Sequence, residues 1–89
     1  MGIKIVAYDM GDKGYVAGRE IKRKMTEKGL VIYFEDAARI PREKVPQGSR
    51  NLSTLLSIQY VSMKHEDRHF LASEFTNPEP VRFEVDGAE

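Results

Sequence analysis

Residues Leu30 to Glu35 (LVIYFE) form an unbroken β-branched and aromatic run, the composition of a β-strand. Tyr33 and Phe34 are neighbours in it, and successive strand side chains point to opposite faces. Large aromatic groups therefore leave both faces of this strand. At least one face is expected to be covered by something other than the main helix, and a dimer partner or the terminal hairpin would serve.

Gly2 to Tyr8 (GIKIVAY) sets Ile3, Ile5 and Ala7 on one face and Val6 and Tyr8 on the other, the pattern of a central strand. Asp9 to Gly14 interrupts it with two glycines and two aspartates, and Asp12 is placed to cap the next element. Tyr15 to Lys28 then reads as a helix, with Ala17, Ile21 and Met25 at four-residue spacing and Gly29 as its C-cap. Gly18 costs about 1 kcal/mol inside a helix, and close packing on the sheet would be its reason. Strand, helix and strand over this length predict a right-handed parallel βαβ unit, with no hairpin.

Asp36 to Ile40 reads as one helical turn, and Pro41 to Arg50 as an exposed polar loop. Asn51 to Phe75 is ambiguous. Leu52, Leu55, Leu56, Tyr60 and Met63 fit a helix period, whereas Ile58, Val61 and the serines favour strands from about Thr54. Lys64 to Asp67 suits a turn and Arg68 to Phe75 a returning strand, so a hairpin is expected here ahead of a helix. After a turn at Thr76 to Pro80, Val81 to Val85 alternates as a half-buried strand, and Asp86 to Glu89 reads as a frayed tail. The expected fold is α+β: a small mixed sheet in which a βαβ unit is followed by three antiparallel strands, with one main helix on one face. Residues 1–89 form a single domain on this reading.

Composition narrows the function classes. With 14 basic and 14 acidic residues the net charge is zero, which excludes a strongly basic tail and an acidic disordered chain. The absence of cysteine removes disulfides, thiolate metal sites and cysteine nucleophiles. No apolar run approaches the roughly 18 residues of a membrane span. A soluble, cytoplasmic domain with no cofactor is the expectation.

Three motifs carry candidate chemistry. His65-Glu66-Asp67-Arg68-His69 resembles the zinc-peptidase helix signature over five residues. On a helix the two imidazoles would share one face and Glu66 would polarise a metal-bound water. Asp67 and Arg68 depart from the uncharged residues usual there, and a segment read as a turn presents no such face. His65 and His69 are therefore weak metal candidates, and a charged hairpin end is the ordinary alternative. Gly11-Asp12-Lys13-Gly14 resembles the GxxG loop of KH domains, and glycine-rich turns before helices present N–H groups to anions. Asp9 and Asp12 put negative charge where a phosphate would sit, which favours an ordinary capped turn.

The third feature is charge polarity. Residues 1–50 hold eleven bases against seven acids, and residues 51–89 three against seven. Lys13, Arg19, Lys22, Arg23 and Lys24 fall on the expected 13–28 helix, and Arg39, Arg42 and Arg50 on the 39–50 loop. These eight are the candidate macromolecule-binding residues. With no complete catalytic set, the favoured function is a small non-enzymatic protein that docks on a macromolecule, an inhibitor or accessory factor with a protein partner and a homodimeric state. The first alternative is a nucleic-acid module using the basic helix and loop. The second is a small metal- or anion-dependent enzyme.

Overall fold

The computed structural model describes residues 2–46 and 51–86. Five strands form one sheet: β1 (Gly2–Asp9), β2 (Tyr15–Thr26), β3 (Gly29–Ile40), β4 (Glu66–Leu71) and β5 (Val81–Asp86). One helix, α1 (Leu52–Val61), lies between β3 and β4 in sequence. The strand order is β4-β3-β2-β1-β5, and every pairing is antiparallel. The fold is therefore α+β, with strands near Gly2–Tyr8, Leu30–Glu35 and Val81–Val85 as the sequence leads one to expect.

The βαβ unit is replaced by a long hairpin. Residues 15–26 form a strand, not a helix, and they pair with β3 from Tyr15↔Ile40 to Thr26↔Gly29. Val16 and Ala17 are adjacent and both fully buried, in different clusters. Neighbouring residues on opposite buried faces are what a central strand provides. The four-residue spacing of Ala17, Ile21 and Met25 does not mark a core stripe, since Ile21 is 56% and Met25 71% exposed. At the hairpin tip Gly29 adopts φ 120, a conformation glycine takes readily. Thr26 Oγ1 donates to the Gly29 carbonyl at 2.8 Å, and the Lys28 N–H donates to Thr26 Oγ1 at 3.2 Å.

Asp36 to Ile40 is likewise the end of β3 and not a helical turn. A bulge between Phe34 and Ala37 interrupts its pairing with β4, and Asp36 takes φ 57 there. Aspartate tolerates this left-handed region better than most residues.

The expected hairpin over 54–75 is a helix followed by a strand. Leu52, Leu56 and Tyr60 recur every four residues and face the core together, so burial of this stripe overrides the weak helix propensity of the serines. The second segment, β4, pairs with the edge of β3 instead of with its sequence predecessor.

Two layers cover the sheet, but Tyr33 is only half-buried and lies outside both core clusters, beside Lys22 and His69. On one face α1 lies over Ile5, Ala7, Ala17, Ala38, Ile40, Phe83 and Val85. On the other, the connection from β4 to β5 brings Ala72 and Phe75 over Tyr8, Val16, Ile32, Phe34 and Phe70. Phe75 stacks on Tyr8 with centroids 4.3 Å apart. The chain thus supplies the second layer itself. Among the described residues no helix is long and apolar enough to cross a membrane.

Candidate docking site at the parted strands

β1 and β2 pair only from Val6↔Gly18 to Asp9↔Tyr15. Beyond that point they part. β1 continues as Gly2–Ile5 along β5, while β2 continues as Arg19–Thr26 along β3. Among the described residues the stretch 19–26 therefore has a strand on one side only, as does the stretch 2–5 of β1. The parting begins at a bulge: the β2–β3 register shifts between Ala17 and Arg19, and again between Glu20 and Lys22. Bulges bend a strand and increase its local twist, which turns the distal half of β2 away from β1.

An open cleft of about 820 Å³ occupies the fork. It is walled by Gly2–Val6 of β1, Arg19–Ile21 of β2 and Arg82–Glu84 of β5. A smaller recess of about 340 Å³ shares Ile3, Ile5 and Arg19 with it and reaches Tyr60 and His65 at the end of α1.

The basic residues singled out in the sequence separate into two groups. Arg19, Lys22, Arg23 and Lys24 lie on the free half of β2. Arg19 is paired with Glu35 and lies 3.7 Å from Asp36. Arg23 Nε donates to Glu20 Oε2 at 2.6 Å, and Arg23 Nη2 donates to the Tyr8 hydroxyl at 3.0 Å. The hydrogen bond to Glu20 raises the Arg23 pKa. Lys22 sits over the Tyr33 ring, 4.8 Å from its centroid, and Tyr33 lies beside His69. Neither Lys22 nor Lys24 has a carboxylate within ion-pair distance among the described residues.

Lys13, Arg39 and Arg42 belong to the other group, at the Gly11–Gly14 turn. Arg42 forms an ion pair with Asp9 and donates to the Gly11 carbonyl from Nε at 3.1 Å and Nη2 at 2.9 Å. Arg39 Nη2 donates to the Lys13 carbonyl at 3.1 Å. The Gly11 N–H donates to Asp9 Oδ1 at 2.8 Å. This turn is closed by the protein's own carboxylate and guanidinium groups, and it leads into a strand, not a helix N-terminus. It therefore lacks the aligned N–H groups expected of an anion cradle. Arg50 lies outside the described residues.

His65 and His69 do not share a helix face. His69 is on β4, where four residues of extended chain span roughly 13 Å, compared with one turn on a helix. His65 stacks on Tyr60 with centroids 4.1 Å apart, and its Nε2–H donates to the Tyr60 carbonyl at 2.6 Å. No group of three or more potential metal ligands occurs among the described residues.

Several contributors to the cleft were not singled out by sequence. Arg82 of β5 lies near enough to Glu20 for its charge to help lower the Glu20 pKa, and Lys4, Ile3 and Ile21 complete the walls. Strict alternation over 81–85 separates Arg82 from Phe83, but no linear pattern brings β5 beside residues 19–21. No family model, curated protein or solved structure matches this chain.

Proposed function

We propose that this protein is a non-enzymatic docking module, an inhibitor or accessory factor, that binds another protein at the fork between β1 and β2. The observation that carries this reading is that, among the described residues, no strand pairs with the outer edge of β2 from Arg19 to Thr26. Free edges in natural sheets are commonly blunted by lysine, and Lys22 and Lys24 could serve only that end. Ile21 and Met25 argue otherwise, because a merely protected edge has no use for two well-exposed apolar residues. Ile3 on β1 shares the cleft with Ile21. An apolar pair with a polar rim fits the anatomy of a contact surface. A chain without cysteine also suits a cytoplasmic site of action.

Site-specific photo-crosslinking in the native cell tests this reading. A crosslinking amino acid is placed at position 21 and, as a control of equal exposure, at position 58 on α1, since Ile21 and Ile58 are each 56% exposed. A protein adduct at position 21 that is absent at position 58 and lost with Lys22→Glu supports docking at the fork. Equal adducts at both positions, or adducts to nucleic acid, overturn it.

A second reading has its own observation. Lys22, Tyr33 and His69 form a cationic and aromatic row across β2, β3 and β4, and such rows can stack bases and meet phosphates. Retention of poly-dT at low salt, abolished by Tyr33→Ala with Lys22→Ala, would support it.

A further inference from the structure

We infer that the partner binds as an extended acidic segment, added as a further strand along Arg19–Thr26 of β2. This rests on the docking reading and specifies its ligand.

The edge itself selects a backbone. A free strand edge alternates N–H donors with carbonyl acceptors. A second extended chain satisfies both kinds of group. A DNA backbone offers acceptors only and leaves the carbonyls unmatched, and RNA adds only its 2′-hydroxyls as donors. The free stretch from Arg19 to Thr26 spans about 26 Å of extended chain, enough for a partner strand of ordinary length.

The charges select the sequence of that strand. Arg19 and Arg23 are already engaged by Glu35 and Glu20. Among the described residues neither Lys22, which lies over the Tyr33 ring, nor Lys24 has a carboxylate partner, and they stand two residues apart, opposite Tyr33 and Val31. Side chains two apart share a face of a strand, so carboxylates at alternate positions of an added strand would meet both. Lys4 and Arg82 also line the cleft, where Lys4 stands opposite Glu84 in the β1–β5 register. Ile21 and Met25 offer apolar contact to the residues between the carboxylates.

The same charges disfavour a second copy as the occupant. Antiparallel pairing of β2 with its own twin about a two-fold axis near Arg23 would set Lys22 and Lys24 against each other. Like charges directly opposite in neighbouring strands are destabilising. The only acids in the stretch 19–28 are Glu20, which Arg23 and Tyr8 occupy, and Glu27 in the turn.

Fluorescence anisotropy with synthetic probes tests the inference on the whole chain. The first probe is a labelled octapeptide alternating glutamate and valine. Its controls are the lysine–valine counterpart, two versions N-methylated at one or the other set of alternate amides, and poly-dT. The expected result is binding of the acidic peptide alone, weakened about tenfold or more by Lys22→Glu with Lys24→Glu and by N-methylation of one amide set. Amide exchange along Arg19–Thr26 should slow in the complex. Circular dichroism confirms that the variant, altered at two exposed positions, remains folded.

If both N-methylated peptides bind as well as the parent, charge alone makes the contact. Strand addition then fails while docking at the fork stands. No peptide binding, together with a retained crosslink at position 21, also overturns the inference alone. If poly-dT binds and the peptides do not, the protein-docking reading fails with it. A dimer in sedimentation that Lys22→Glu with Lys24→Glu alters would identify the occupant as a second copy and overturn the acidic partner.

Discussion

Gly18 of β2 and Ala37 of β3 meet so closely that a Cβ at position 18 would lie 2.9 Å from Ala37 Cα and 3.1 Å from Ala37 Cβ. The contact falls within the bulge where β2 leaves β1. A strand glycine often marks such a close approach of two backbones. The fork, and with it the free edge of β2, begins at the last position where β2 still touches β1.

Gly18→Ala should therefore destabilise the protein by about 1–3 kcal/mol, the usual cost of overpacking. Urea unfolding followed by circular dichroism measures this. No change in midpoint would show that the hairpin shifts freely at the bulge.

Gly14→Ala should be far more damaging. Gly14 has φ 90, and a Cβ there would lie 2.1 Å from the Ile40 carbonyl oxygen and 2.9 Å from the Arg42 nitrogen. Backbone strain adds about 1–3 kcal/mol to a clash that no side-chain rotation relieves. The variant is expected to be largely unfolded at room temperature, with collapsed amide dispersion in its NMR spectrum.

The Tyr8 hydroxyl donates to Glu20 Oε1 at 2.8 Å and joins β1 to the departing half of β2. Burial raises the Tyr8 pKa above its ordinary 10.0, and the carboxylate of Glu20 adds to this. For Glu20, burial acts upward, but hydrogen bonds from Arg23 and Tyr8 and the charges of Arg23 and Arg82 outweigh it, so its pKa falls below 4.5. The unfolded chain thus protonates Glu20 at higher pH than the folded one does. The resulting stability is present above pH 4.5 and is lost as pH falls through the folded value. Tyr8 acts at the other limit: its contribution is whole below pH 10.0 and is lost as pH rises through its raised value. Urea midpoints measured across pH should fall less steeply in acid for Glu20→Gln than for the unaltered protein. Tyr8→Phe should flatten the alkaline limb and cost about 1 kcal/mol at neutral pH.

Arg42 holds the Gly11–Gly14 turn through Asp9, the Gly11 carbonyl and the Tyr15 ring, whose centroid is 4.8 Å from its guanidinium carbon. Arg42→Ala should cost about 1.5–3 kcal/mol, the range for hydrogen bonds to charged groups. Arg42→Lys should recover only a minor part, because lysine has neither the planar fork nor the stacking face. Thermal melts of the two variants and of Asp9→Asn check this, and the double variant with Asp9→Asn should show coupling between the two residues.

Local pattern located β1, the core of β3 and β5, and it pointed to a cover besides the main helix. It did so because apolar residues on both faces of β1, the β-branched and aromatic run of Leu30–Glu35 and the alternation of Val81–Val85 are properties of each segment itself, and Tyr33 beside Phe34 must leave opposite faces whatever surrounds them. The basic residues of β2 were also visible, but as a helical surface. Ala17, Ile21 and Met25 repeat at a spacing that a helix would use, and only pairing with β3 along the whole hairpin makes that spacing incidental. Leu52, Leu56 and Tyr60 show the converse, since serine and β-branched neighbours pointed to strands until the core offered their common face a place to bury. Gly18 looked like a cost inside a helix and is instead the residue that permits contact with Ala37. Arg82 reaches the neighbourhood of Glu20 only because β5 returns to pair with β1 across more than half the chain. Element identity over 15–26, read as a helix, and over the ambiguous 51–75, together with the fork between β1 and β2, follow from which other residues each segment meets, and such contacts leave no periodicity in the chain that forms them.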